Sequence, residues 1–287
     1  MTPQNTRLGI LLMCLTMFVF AMQDGISRHL AGEYNVFMVV MIRFWFFAAF
    51  VVAMAARAPG GLKAAAKTEQ PGLQIFRSLL LAAEICVMVS AFVLLGLVES
   101  HAIFAAYPLL VAALSGPLLG ENVGWRRWAA IGIGFVGVLI ILQPGLRVFS
   151  PYALIPVLSA ALFATYNLLT RAAAKKDPPA TSFFYTGTVG ALAMTLVGMW
   201  FWEPMSASNW LWMGALCITG ATGHWLLIKT YDVSEASAVQ PFAYLQLVFG
   251  AGLGIAVFSE TLTWNVALGA CVVVAAGMFT LWRERVA

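Results

Sequence analysis

The stretch from Glu99 to Gly145 reads ESHAIFAAYPLLVAALSGPLLGENVGWRRWAAIGIGFVGVLIILQPG, and the stretch that begins at Glu235 reads EASAVQPFAYLQLVFGAGLGIAVFSETLTWNVALGACVVVAAGM. Each contains an acidic residue, a small-residue entry, an apolar run interrupted by proline, a short acidic turn and a second apolar run. In this alignment Glu99 matches Glu235, and Glu121 matches Glu260. An internal repeat decides the fold before any single motif does.

The composition identifies the class of protein. Of 287 residues, 62% are hydrophobic and 10% are charged, whereas a soluble domain has about 25% charged residues. The apolar runs are each close to the roughly 20 residues that a helix needs to cross a bilayer. The sequence therefore predicts an all-α, multi-pass membrane protein whose surroundings are lipid. The net charge of +4 comes from loop residues and does not indicate nucleic-acid binding.

The apolar runs predict ten transmembrane helices joined by short loops. The expected spans are 8–27, 36–56, 74–96, 100–119, 126–143, 151–170, 181–202, 209–229, 236–258 and 264–282. They divide into two five-helix repeats, one over residues 1–145 and the other over residues 146–287.

The basic residues predict the orientation of the chain. Positively charged loops stay on the cytoplasmic side of a membrane, so we expect both termini in the cytoplasm of a bacterium and the chain in its inner membrane. This arrangement places 13 of the 16 lysines and arginines on the cytoplasmic side. These are Arg7, Arg57, Lys63, Lys67, Arg77, Arg126, Arg127, Arg171, Lys175, Lys176, Lys229, Arg283 and Arg285.

The first span of each half carries the repeat as well. The segment FAMQDGISR, residues 20–28, matches FATYNLLTR, residues 163–171. Because five is an odd number, the second half enters the membrane from the opposite side. The halves are therefore predicted to be inverted-topology repeats, which are typical of secondary transporters.

These segments resemble the EamA-type repeats of the drug/metabolite transporter superfamily. The resemblance rests on Pro108 with Gly120–Glu121 and the glycine-rich run after them, and on Ala238, Pro241 and Glu260 in the second half. It covers nearly the whole chain and implies ten helices, a central cavity between the halves, and export or exchange of small metabolites. The chain is similar to amino-acid exporters, including those for aromatic amino acids. The segments AMQDGISRHL and MIRFWFF also resemble a branch of S-adenosylmethionine carriers.

Sequence motifs argue against an enzyme. The chain contains no GxxxxGK[ST], HExxH or GxSxG motif, so ATP-driven pumping and hydrolysis have no visible machinery. We expect no metal and no cofactor. Function is then assigned to polar groups within the membrane, where they are costly.

Two prolines mark the first candidate site. Pro108 and Pro241 interrupt the fourth and ninth spans, and helices broken at matched positions indicate a transporter site. Gln240 and Tyr244 share one helix face because they are four residues apart, and Tyr107 lies beside Pro108. These groups suit an amphipathic organic substrate. Simple packing kinks and hydrogen bonds between helices are the alternative interpretation.

Four matched polar residues form the second candidate group. Gln23–Asp24 and Tyr166–Asn167 occupy equivalent repeat positions and are predicted to line the substrate site or a gate. An ion pair of Asp24 with Arg28 or Arg43 is an equal alternative. Arg43 is expected to pair with an acid or to snorkel toward the interface.

Three further residues complete the prediction. Glu84 lies in the middle of the third span, where it could carry a proton or bind a substrate ammonium group. His224 could take a proton or bind a carboxylate, and Trp225 could stack on an aromatic ligand. For each, helix packing is the alternative.

The predicted function is a secondary transporter that exports or exchanges amino acids, among them aromatic and other apolar ones, and similar small metabolites by alternating access. A carrier of S-adenosylmethionine or another metabolite is the alternative, and an intramembrane enzyme is the least favoured one. The sequence leaves the choice between monomer and homodimer open.

Overall fold

The computed structural model describes residues 5–119, 124–143, 150–234 and 239–286. Over these residues it is helical and contains no strand. Its twelve described helices are α1 (Thr6–Glu33), α2 (Val36–Arg57), α3 (Gly61–Ala66), α4 (Pro71–Leu94), α5 (Leu97–Phe104), α6 (Tyr107–Leu119), α7 (Trp125–Leu142), α8 (Leu154–Ala173), α9 (Pro179–Gly198), α10 (Ala207–Val233), α11 (Leu245–Phe258) and α12 (Trp264–Val286). Short 3₁₀ helices cover Pro151–Ala153, Met199–Phe201 and Gln240–Tyr244.

Seven described segments are long and apolar enough to cross a membrane, namely Thr6–Glu33, Val36–Arg57, Pro71–Leu94, Leu97–Gly116, Pro151–Ala173, Pro179–Phe201 and Pro241–Phe258. Trp128–Leu142 and Trp264–Thr280 are shorter apolar helices. The prediction of an all-α membrane protein is confirmed, and the count of ten spans stays a prediction. Glu121 and Glu235, which anchored the repeat in the sequence, lie outside the described residues.

The helix contacts come in matched sets. By repeat position, α8 is the counterpart of α1, and α4 is the counterpart of α10. Helix α1 packs along α10, and α8 likewise packs along α4. Likewise, α1 contacts α11 and α8 contacts α6. The pairs α2–α9 and α7–α12 each join two counterparts directly. If each helix is replaced by its counterpart in the other half, these contacts are therefore exchanged with one another.

The close approach of α7 to α12 depends on two glycines. A Cβ atom on Gly137 would lie 2.9 Å from the carbonyl oxygen of Gly269, and one on Gly269 would lie 2.6 Å from the carbonyl oxygen of Gly137. Real Cβ atoms do not approach backbone that closely, so both positions need glycine. Small residues at such contacts are how membrane helices gain packing energy.

A cluster that we name the Asp177 clasp joins the two halves at one end of the bundle. The carboxylate of Asp177, which follows α8, accepts hydrogen bonds from the Thr68 hydroxyl, the Glu69 backbone N–H and the Gln74 side-chain amide, all in the segment that leads into α4. Only 4% of Asp177 is exposed. Burial acts to raise the pKa of Asp177, but these three hydrogen bonds outweigh it, so the pKa lies below its ordinary value.

A second cluster, the Asn209 clasp, joins the halves at the other end. The Asn209 amide on α10 donates to the Glu33 carboxylate and to the Tyr34 hydroxyl, which also accepts from the Ser206 N–H. Nε2 of His29 lies 3.2 Å from Oδ1 of Asn209. By repeat position, Tyr34 corresponds to Asp177.

The two clasps lie at opposite ends of α2. Helix α2 runs antiparallel to α9. Near the start of α2 the carbonyl of Phe37 approaches Gly198 of α9, and near its other end Val51 packs on Gly187. At 1.5 Å per residue, the 22 residues of α2 span about 33 Å. That length matches the roughly 30 Å hydrocarbon core of a bilayer.

Glu260 of the second half caps a helix of the first half. Its carboxylate accepts hydrogen bonds from the backbone N–H groups of Leu97 (2.8 Å) and Val98 (2.7 Å) at the start of α5, and it pairs with Arg28. Gly96 adopts a φ of 98°, and a Cβ atom there would lie 2.9 Å from the carboxylate. Glu260 is therefore a structural cap, because an anion at a helix N-terminus is stabilised by the free N–H groups.

Candidate functional site

Two helix breaks, one in each half, face each other across the interior. Helix α5 ends at Phe104, and α6 begins at Tyr107 with Pro108 in its first turn. In the second half, Pro241 lies within the 3₁₀ helix Gln240–Tyr244 that leads into α11. Helical segments thus change at both prolines, and proline favours such breaks because it lacks an N–H group to donate.

A partly open cavity lies between these breaks. It is lined by His101, Phe104, Ala105, Tyr107, Pro108, Ala243, Tyr244, Gln246 and Leu247. Tyr107, Pro108 and Tyr244 were predicted from the sequence; His101 was not.

Aromatic rings form a wall that continues from the cavity into α8. The ring of Phe163 lies 5.4 Å from that of Phe104 and 5.0 Å from that of Tyr107, and the ring of Tyr166 lies 6.0 Å beyond Phe163. The guanidinium of Arg77 lies over the ring of Tyr166 at 5.2 Å. This wall offers flat apolar faces to a ring-bearing substrate.

The polar end of the cavity is built around Asp24. Oδ2 of Asp24 accepts a hydrogen bond from Nε2 of Gln246 at 2.9 Å and lies 3.1 Å from Nε2 of His101. These three side chains come from α1, α11 and α5, so both halves contribute. Arg28, one of the two predicted alternative partners of Asp24, pairs with Glu260 instead.

Two charged residues extend this polar end. Glu84 is 4% exposed, and its Oε1 accepts a 2.6 Å hydrogen bond from Ser159 of α8. Arg43 of α2 is partly buried and interacts electrostatically with both Asp24 and Glu84. Within the described part of the chain, no carboxylate forms a direct ion pair with Arg43. Among the described residues, this polar end thus brings together the carboxylates of Asp24 and Glu84 and the guanidinium of Arg43.

Gln23 lies next to this charged group. Its Oε1 is buried without a hydrogen-bond partner among the described residues. A Cβ atom on Gly220 of α10 would lie 3.2 Å from this oxygen and 3.9 Å from Nε of Arg43. Gln23 and Arg43 therefore face the same glycine of α10.

The remaining predicted residues have other surroundings. His224 sits among the rings of Phe20 (5.4 Å), Phe47 (5.2 Å) and Phe183 (6.1 Å). Trp225, its neighbour, is 47% exposed and makes no ring contact with any described residue. The two positions point to different faces of α10, so the structure does not bring Trp225 into the site.

Asn167 and Gln240 complete the set. The amide of Asn167 donates to the carbonyl oxygen of Phe163 in its own helix, at 2.7 Å. Its repeat partner Asp24 instead bonds across helices, so matched positions have taken different roles. For Gln240 the structure describes only the backbone, and its side chain lies outside the described residues. The Tyr244 hydroxyl packs against Gly277 of α12.

Sequence reasoning missed two residues of this region, His101 and Arg77. His101 stands at the polar entry of an apolar run, directly after Glu99 and Ser100, and that entry was the available signal. Arg77 was assigned to the cytoplasmic charges, yet it is 1% exposed and donates to the carbonyl oxygen of Ser182 and the hydroxyl of Thr186.

Comparison with known proteins identifies the class. The EamA-like transporter family matches residues 7–143 and again residues 150–282. The chain therefore belongs to the EamA-like transporter family of the drug/metabolite transporter superfamily. It is a multi-pass membrane transporter, and its family and relatives are transporters rather than enzymes.

Particular relatives can be named by their functions. The chain is 26% identical over 280 residues to the S-adenosylmethionine uptake transporter of Rickettsia prowazekii, covering 96% of this chain and 93% of that protein. It is 28% identical to the same transporter of Rickettsia bellii, covering 97% and 94%. It is 26% identical to the riboflavin transporter of Vibrio cholerae, covering 96% and 94%.

A solved crystal structure has the same fold. It is 19% identical, aligns over 98% of both chains, and gives a TM-score of 0.63. At this identity the match concerns the fold alone. None of the named relatives above is an amino-acid exporter, so the predicted amino-acid substrate gains no support from them.

Proposed function

We propose that this chain transports S-adenosylmethionine, or a metabolite that likewise joins an aromatic base to a charged amino-acid tail, by alternating access. One observation carries the proposal: an aromatic-walled cavity ends at a cluster of buried charges of both signs. Phe104, Tyr107 and Phe163 form the wall, and Asp24 and Arg43 belong to the charged end.

The chemistry of the proposed substrate matches this division. Adenine is a flat heterocycle that stacks on aromatic rings. The substrate carboxylate would bind Arg43, since guanidinium groups without a fixed partner favour carboxylates. The sulfonium and ammonium groups would lie near Glu84 and the faces of Tyr107 and Phe163, which attract cations.

The free-energy cost of placing charged side chains inside the membrane supports a functional role for these residues. A charged side chain at the centre of a membrane helix costs about 2.5–3.5 kcal/mol on insertion scales. Asp24, Arg43 and Glu84 share one interior, so the fold tolerates this cost three times. Charges retained at such cost are expected to serve binding or transport.

We further propose the architecture that the sequence predicted: ten spans in two inverted five-helix halves, with the halves rocking about the central cavity. The matched helix contacts support a two-fold relation, and the helix breaks at Pro108 and Pro241 occur at equivalent positions. Broken helices at equivalent positions near the midplane are the pattern of secondary transporter sites.

We also propose that the chain lies in a bacterial inner membrane with both termini in the cytoplasm, as its basic residues predict. A reporter enzyme that works only in the cytoplasm, fused after Ala287, tests this orientation. Activity of the fusion is the expected result, and activity only of a periplasmic reporter would contradict it.

The test of substrate is exchange in proteoliposomes. Vesicles loaded with unlabelled S-adenosylmethionine should take up the labelled compound saturably, and S-adenosylhomocysteine should compete better than methionine. Competition by riboflavin or by phenylalanine instead would assign the site to a flavin or to an aromatic amino acid. Absence of any exchange of labelled S-adenosylmethionine would overturn the proposal.

Variants sharpen this test. Arg43→Gln should reduce exchange at low substrate concentration by tenfold or more, because a charged hydrogen bond to the carboxylate contributes about 1.5–3 kcal/mol. Arg57→Gln is the matched control, since Arg57 is exposed at the end of α2. Equal loss in both variants would exclude a specific role for Arg43.

A further inference from the structure

We infer that Asp24 and His101 form a site that binds one proton and that couples transport to the proton gradient. The inference rests on the proposed function, because it names the coupling ion of that same cavity. It begins from the geometry of the His101 ring, which is only 2% exposed. Nε2 lies 3.1 Å from Oδ2 of Asp24, and Nδ1 lies 2.9 Å from the carbonyl oxygen of Leu97.

The ring of His101 is therefore held between two oxygen acceptors. A neutral imidazole has one N–H group and one bare lone pair. If that imidazole faces an ionised carboxylate and a carbonyl, one nitrogen lone pair must face an oxygen lone pair at hydrogen-bond distance. Two arrangements avoid the repulsion: an imidazolium that donates to both oxygens, or a protonated Asp24 that donates to Nε2. Each arrangement holds one proton more than a neutral histidine beside an ionised aspartate.

The ring cannot easily turn away from this position. It stacks on Phe92 of α4 with the centroids 5.1 Å apart and the planes at 15°. On the other side, a Cβ atom at Gly250 of α11 would lie 2.8 Å from the imidazole. Phe92 and Gly250 therefore fix the plane of the ring, so His101 stays aligned with Asp24.

The charges around the pair come from several helices. Arg43 of α2 interacts electrostatically with Asp24, and so does Glu84 of α4. The Arg28–Glu260 pair lies one helical turn away along both α1 and α5. Helix α11 contributes the uncharged amide of Gln246. From α8 and α12, no described side chain forms a hydrogen bond or ion pair with Asp24 or His101.

Access to the cavity gives the proton a route. His101 and Gln246 both line the cavity, whereas Glu84 is satisfied by Ser159 on the far side of the charged cluster. When the cavity opens to one side of the membrane, the pair can take up a proton from that side; when it opens to the other, the pair can release it there. One proton then crosses for each substrate transported.

The experiment uses the full chain in proteoliposomes with labelled S-adenosylmethionine, the membrane potential being held at zero by valinomycin and equal potassium. With one proton per substrate, a gradient of one pH unit should change the accumulation ratio about tenfold. The sign of the change distinguishes symport from antiport, and either sign supports the inference. Flux that is unaffected by the pH gradient would overturn it while leaving the proposed substrate standing.

Variants separate coupling from folding. His101→Gln and Asp24→Asn should lose the response to the pH gradient. The melting midpoint of His101→Gln in detergent, compared with that of the wild type, shows whether the variant is folded. His29→Gln is the matched control because His29 lies in the Asn209 clasp, far from the cavity, and it should keep the full response. A full response in His101→Gln would exclude the pair as the proton site.

A measurement that needs no transport keeps the two proposals distinguishable. The ¹⁵N spectra of histidine-labelled protein and the infrared band of protonated carboxyl groups should show a His101 imidazolium or a protonated Asp24, as the two oxygen acceptors around the ring require. Either signal should vanish in the corresponding variant. A neutral His101 beside an ionised Asp24 would overturn the inference, whatever substrate the protein carries.

Discussion

The Asp177 clasp and the Asn209 clasp both join the two halves by hydrogen bonds, at opposite ends of the molecule and with different chemical groups. In the Asp177 clasp, a carboxylate that is 4% exposed accepts three hydrogen bonds from the other half. In the Asn209 clasp, a neutral amide is the hub, and its acidic partner Glu33 is exposed. A buried anion that is fully hydrogen-bonded is hard to release, whereas an exposed one can exchange its partner for water.

The difference teaches that the two halves are not held equally at their two ends. Tyr34 and Asp177 occupy equivalent positions in the repeat, but only Asp177 places a charge at the centre of its clasp. We therefore expect the end with the Asn209 clasp to separate at lower free-energy cost than the end with the Asp177 clasp.

The largest expected effect is that of Asp177→Ala. It removes the acceptor of three hydrogen bonds and should lower the free energy of unfolding by about 3 kcal/mol, or the melting midpoint by about 5–10 °C. Thermal unfolding in detergent, followed by intrinsic fluorescence, measures it. Glu69→Ala is the control, because Glu69 contributes only its backbone N–H. Equal midpoints for both variants would refute the hub role of Asp177.

Asn209→Ala should have a smaller effect of about 1 kcal/mol, since neutral hydrogen bonds between membrane helices contribute less than charged ones. The same unfolding assay compares it with Ser208→Ala, whose hydroxyl contacts only the exposed Ser206. If Asn209→Ala proves more destabilising than Asp177→Ala, the ranking of the two clasps is reversed.

Acid should weaken one clasp selectively. Because hydrogen bonds hold the pKa of Asp177 below its ordinary value of 3.8, its contribution to stability is complete above that value and is lost as the pH falls through the lowered pKa. The difference in melting midpoint between the wild type and Asp177→Asn should thus be constant from pH 7 to about 5 and shrink below about pH 4. A difference that stays constant down to pH 3 would contradict the lowered pKa.

The smallest expected effect belongs to the exposed pair of the Asn209 clasp. His29 and Glu33 are 4.0 Å apart and partly exposed, and exposed pairs contribute about 0–1 kcal/mol. His29→Gln should change the melting midpoint by at most about 2 °C. A larger decrease in the melting midpoint would mean that the contact of His29 with Asn209 stabilises the clasp more than an exposed pair is expected to do.

Much of the fold could be predicted from the sequence because its signals are local. Long apolar runs mark membrane helices, and proline marks breaks, so the interruptions at Pro108 and Pro241 appeared where expected. The matched helix contacts fit the repeat in the sequence, because segments with the same pattern can bury the same faces.

The site could be predicted only in part, because its contacts join residues distant in the chain. Asp24 and His101 are 77 positions apart, and helical periodicity gives the face of each residue but not the neighbouring helix. Repeat symmetry also misled at one pair: Asn167 matches Asp24 in position but bonds to its own backbone. Trp225 was predicted from its residue type, which does not reveal the direction of its ring.

The contact between Gly96 and Glu260 couples amino-acid substitutions in one half of the chain to substitutions in the other. A side chain at position 96 would collide with the carboxylate that caps α5, and loss of that carboxylate would leave both the helix start and Arg28 without their partner. Substitution at either position therefore requires a compensating change at the other. Among natural variants, positions 96 and 260 should change together or not at all, so the duplicated halves of this chain cannot diverge independently at this joint.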